Sequence, residues 1–136
     1  MINTRLIPIA LVCLFASHAF ADDHAIMQRG YSPAESFKNF ALSQCVANGF
    51  QQQADIQKDA QIAAGGYLEI GHYPIEAYEE AVALSKQFLA REYRTMAGQS
   101  LTLMKCIDLY HSDELAALVE KYEYTLAHPD QEHGSN

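Results

Sequence analysis

"YSPAESFKNFALSQCVANG", residues 31–49, is the stretch that decides the fold. Ser32 stands three positions before Glu35, the spacing of a capping box, and Pro33 falls at the first helical position, where no N–H is needed. Phe37, Phe40, Ala41 and Cys45 then recur at three- and four-residue intervals, which lays an apolar stripe along one side of a helix. Asn48-Gly49 is a stop signal. The pattern predicts a helix over about 33–48 that carries Cys45 on its buried side near the C-terminal end.

Downstream, the same period continues. A second helix is expected over about 52–69, with Ile56, Ala60, Ala63 and Tyr67 on its inner face. Gly65-Gly66 lowers its propensity by about 2 kcal/mol relative to alanine, which suggests close packing against another helix. "GHYP", 71–74, breaks the chain, and a third helix follows over about 75–93, with Tyr78, Ala81, Val82, Ser85, Phe88 and Leu89 inward. Glu76, Glu79 and Glu80 crowd its first turns, where carboxylates complement the helix dipole. "RTMAGQS", 94–100, is a loop. A fourth helix over about 101–110 carries Leu101, Met104, Cys106 and Ile107. Ser112 is placed to cap a fifth, with Leu115, Leu118, Val119, Tyr122 and Leu126 inward. No period-2 strand pattern is present. The fold class is all-α: a compact bundle of about five short helices with one disulfide.

Upstream lies an export signal. Arg5 precedes the apolar run "LIPIALVCLF", and Ala19 and Ala21 form the small-x-small pattern of a peptidase site. The run is too short for a bilayer, which takes about 20 residues. Cys13 sits in the middle of that run, without the small residues that precede a lipidated cysteine. Residues 1–21 are therefore expected to be a signal peptide cleaved after Ala21, 22–128 the helical domain and 129–136 a flexible polar tail. Cleavage would release an exported chain, with no membrane contact afterwards.

Charge and cysteine count narrow the function. The chain carries 9 basic and 17 acidic residues, a net charge of −8. Cleavage after Ala21 removes Arg5 and no acid, so the mature chain reaches −9. Such a surface repels nucleic acid and anionic lipid and suits a basic protein partner. Of three cysteines, Cys13 leaves with the signal. Cys45 and Cys106 remain, and two cysteines in an exported chain imply one intramolecular disulfide. Its loop of roughly 60 residues is worth about 4 kcal/mol in the chain-entropy account.

"TLMKCIDLYHSDEL", 102–115, offers a competing reading, because Cys106, Asp108 and His111 lie within six positions. On one helix Cys106 and His111 are about 140° apart, so they do not share a face as a nucleophile and its base must. Asp108 and His111, three apart, are spaced to pair on the outer surface. For metal, Glu69 and His72 give a single E-x-x-H, where helical di-iron sites use two with further carboxylates. No C-x-x-C, phosphate loop or G-x-S-x-G is present. Catalytic residues, cofactor and metal are all expected to be none. Alternatives kept open are an exported helical adaptor unrelated to toxins, and a metal- or redox-active helical protein.

Three segments, "NFALSQCVANGF", "GGYLEIGHYPIEAYEEAVALSKQFL" and "LTLMKCIDLYHSDELAALVEKY", together resemble the type VI secretion amidase immunity family. The resemblance spans roughly residues 35–122, and "MKCIDLYHSDEL" is its most specific part. It implies a periplasmic inhibitor of an NlpC/P60-like cysteine peptidase that cuts peptidoglycan stems between D-glutamate and meso-diaminopimelate. It implies a homodimer binding two toxin molecules, a protruding loop occluding each catalytic cleft, and Cys45 paired with Cys106. The toxin-contacting residues do not transfer by motif. Function concentrates on loops held by a rigid scaffold. The first expected contact is therefore the 94–100 loop, with Arg94, Thr95, Met96, Gln99 and Ser100. The second is the "GHYP" turn and the acidic start of helix 3, with His72, Tyr73, Glu76, Glu79 and Glu80.

Overall fold

The computed structural model describes residues 30–93 and 98–129. The expected signal segment 1–21 lies outside them, as does the tail from residue 130 on. Five helices follow in order: α1 (Pro33–Gly49), α2 (Ala54–Glu69), α3 (Ile75–Ala90), α4 (Thr102–Tyr110) and α5 (Asp113–Ala127). Among the described residues there is no strand.

The first helix begins as its sequence dictates. The Ser32 hydroxyl accepts from the Glu35 N–H at 3.2 Å, and the Glu35 carboxylate accepts from the Ser32 N–H at 2.8 Å. These bonds to Ser32 hold the Glu35 carboxyl below its ordinary range. Ser112 caps α5 in the same manner, accepting from Leu115 N–H at 3.1 Å.

α1 is the centre of the bundle. It buries Phe37, Phe40, Ala41 and Cys45, and every other helix packs on it. α2 returns antiparallel along one side. Tyr31 meets Tyr67 at one end, and the Gln57 amide donates to the Ala47 carbonyl at the other. α3 runs parallel to α1, with Tyr78 edge-on to Phe37 and Phe40 at 5.5 and 4.9 Å and Leu89 against Gly49. α4 is antiparallel to α1, tied by the Cys45–Cys106 disulfide (Cα–Cα 5.5 Å), with Thr102 against Gly49. α5 packs antiparallel to α3: Glu80 meets Lys121 and Tyr122, and Arg91 meets Glu114.

Several sequence expectations need correction. α3 ends at Ala90 rather than 93, because Arg91 turns extended (ψ 138°) and is used to bond α5. α2 turns Ala60 and Ala64 inward, whereas Ile56 and Ala63 are exposed. Alanine lets α1 approach more closely than isoleucine would, and the neighbouring stripe wins. Gly65 and Gly66 have nothing within 4 Å of where a Cβ would stand, so close packing does not explain them. The close approaches are elsewhere. A Cβ on Gly49 would run into Thr102 and come to 2.9 Å from Leu89, and one on Gly71 would overlap the Tyr78 hydroxyl. Leu126, expected inward, is exposed, as are Met104 and Ile107 of α4. Leu101 lies outside α4, in left-handed backbone.

Candidate functional site

The α3–α4 connection runs from Arg91 to Leu101. Its central residues Arg94, Thr95 and Met96 lie outside the described residues, whereas both stems are described. Four contacts fix the N-terminal stem. The Arg91 guanidinium stacks 3.4 Å over the Phe88 ring and bonds the Glu114 carboxylate at 2.7 Å. Glu114 is held below the carboxylate range, first by its own backbone N–H at the start of α5 and then by Arg91. Tyr93 donates its hydroxyl to Asp108 on α4, which raises the phenol's pKa. Lys105 donates to the Leu89 carbonyl at 2.8 Å, satisfying an orphan acceptor at the end of α3.

The C-terminal stem is set by backbone conformation. Gly98 has φ 68°, available to glycine without strain. Leu101 has φ 47°, ψ 38°, a left-handed geometry that costs a side-chain-bearing residue about 1–2 kcal/mol. The loop residues Gln99 and Ser100 are exposed, and the Ser100 hydroxyl lies 3.1 Å from that of Thr102. Because Cys106 is fully buried and bonded to Cys45, α4 is fixed to α1 and the C-terminal stem with it. The connection thus leaves and rejoins a scaffold that holds its ends still.

The second candidate surface lies at the other end of α3, roughly 24 Å away for 16 residues of helix. The structure therefore does not bring the two together. His72, Glu76 and Glu79 are exposed. Tyr73 is 93% buried: its ring stands edge-on to Phe37 at 5.0 Å, and its hydroxyl donates to Glu123 at 3.4 Å. Burial and then the Glu123 charge push its pKa up to about 12. Glu80 accepts from Lys121 at 2.7 Å and Tyr122 at 2.8 Å, and those two bonds lower its pKa. Glu80 therefore joins α3 to α5, and Tyr73 belongs to the core. Beneath the turn, the Tyr78 hydroxyl is buried with the Tyr73 and His72 N–H groups facing it outside hydrogen-bond geometry.

The chemistry weighed for residues 102–115 resolves plainly. Cys106 is in a disulfide, so its sulfur is no nucleophile in this state. Asp108 accepts a hydrogen bond from the Tyr93 hydroxyl rather than pairing with His111, whose ring packs against Tyr110. Among the described residues no three His, Cys, Asp or Glu side chains gather as a metal site, and no helix is long and apolar enough to cross a membrane. What sequence reasoning missed is the outward side of α4. Leu103, Met104 and Ile107 are 54%, 51% and 46% exposed. The signal was present: with Cys106 and Leu109 turned inward, Met104 and Ile107 lie about 100° or more from both around the helix axis.

A helical scaffold that fixes both stems of a connection is the kind of frame on which functional residues are carried. Residues 35–119 match the family model of Tai4, the type VI secretion system (T6SS) amidase immunity protein, and the chain belongs to that family. A solved structure of the effector–immunity system Tae4/Tai4 from Salmonella typhimurium, a selenomethionine variant, contains a similar chain. The two are 34% identical with a TM-score of 0.62, over 67% of this chain and 89% of that one. Comparison with curated proteins returns no match.

Proposed function

We propose that this protein protects its producer by binding the cognate type VI peptidoglycan amidase and sterically occluding its active site. Membership of the family over residues 35–119 is the observation that carries the reading. The 94–100 loop enters the catalytic cleft, with Arg94, Thr95, Met96, Gln99 and Ser100 as its contacts. Fixed stems suit that role, because a loop held before binding loses less conformational entropy on binding. His72, Glu76 and Glu79, exposed at the start of α3, form a second contact surface. The protein acts in the periplasm after removal of residues 1–21, as a homodimer. It is an inhibitor, and the reacting cysteine belongs to the amidase.

The test is inhibition of peptidoglycan-stem hydrolysis by the purified mature chain, using the amidase effector of the same secretion system. Wild-type protein is expected to inhibit stoichiometrically. Replacing residues 94–100 by a Gly/Ser segment of equal length should weaken inhibition at least 100-fold with an unchanged melting temperature. The mature chain's net charge of −9 also predicts slower association in added salt. Full inhibition by the loop-replaced protein would rule out occlusion by that loop, and salt-independent association would rule out steering.

A further inference from the structure

We draw no further inference here: the strongest candidate, the apolar outer face of α4 at Leu103, Met104 and Ile107, has charges of both signs beside it, Lys38 over the Tyr110 ring and Lys105 as well as Asp108, and nothing in the structure shows what covers it.

Discussion

Removing the disulfide is the sharpest physical test of this scaffold. Cys45 and Cys106 are 61 residues apart in sequence. A cross-link of that span removes about 14 cal/mol/K of entropy from the unfolded chain, or about 4 kcal/mol at 25 °C. A folded domain of about 95 residues has an unfolding entropy near 200 cal/mol/K, so the melting temperature should fall by about 20 °C. Two proteins isolate the cause. Reducing the wild type removes only the cross-link. The C45A/C106A double variant also empties the space of two fully buried sulfurs, which adds roughly 1–2 kcal/mol. Alanine is preferred to serine, whose hydroxyl would be buried without a partner. Urea unfolding followed by circular dichroism supplies a second signature. Without the cross-link the unfolded chain expands and exposes more surface, so the m-value should rise. Inhibition measured well below the lowered melting temperature should stay near wild type, because Cys45 and Cys106 are buried and touch no partner. A melting temperature within 5 °C of wild type for the double variant would refute the reasoning. A large fall with an unchanged m-value would place the loss in packing rather than in chain entropy.

Two further outcomes follow from the core. Gly49→Ala should destabilise by about 1–3 kcal/mol, because its Cβ would press on Thr102 and Leu89. Gly65→Ala and Gly66→Ala should each stabilise by about 0.5–1 kcal/mol, since open space lies around both and the helix gains propensity. Guanidinium midpoints decide, and the same sign at Gly49 and Gly65 would contradict this. Stability should also fall in alkali. Below pH 10 Tyr73 is protonated in both folded and unfolded chains, whereas between 10 and about 12 the unfolded chain loses its proton first. The stabilising contribution is therefore complete below pH 10 and is lost as pH rises through about 12. Tyr73→Phe keeps the ring packing and should flatten that decline in denaturation series from pH 9 to 12. Tyr78 and Tyr122 are shifted in the same direction and leave a residual slope.

The helix starts were legible because capping is a local matter. Ser32 with Glu35, and Ser112 with Leu115, need only three residues of context. The disulfide was legible by arithmetic. Helix faces were harder where two stripes compete. In α2 the 56–60–63–67 row and the Ala60–Ala64 pair both have helical spacing, and only the closeness of α1 selects the second. Glycines show the same limit. Sequence cannot separate Gly65, with nothing near it, from Gly49, wedged between two helices, because the difference lies in residues 40 to 53 positions away. At the candidate site the loop itself was visible, but its anchors were not. Arg91 finds Glu114 across 23 residues and Tyr93 finds Asp108 across 15, pairings that exist only once α3, α4 and α5 are in place.

These dependencies form a chain with a consequence for where the protein works. The loop stems depend on α4, through Tyr93 with Asp108 and the left-handed Leu101. α4 is nine residues long, below the length at which a helix holds itself together in water, so it depends on packing and on the disulfide. The disulfide in turn persists only in an oxidising compartment. About 4 kcal/mol is a large share of the 5–15 kcal/mol that stabilises an ordinary domain. A copy held in a reducing compartment would lose much of its stability. In the proposed reading, oxidation after export therefore completes the stability of the fold, and inhibition gains from it only through the fraction of chains that are folded.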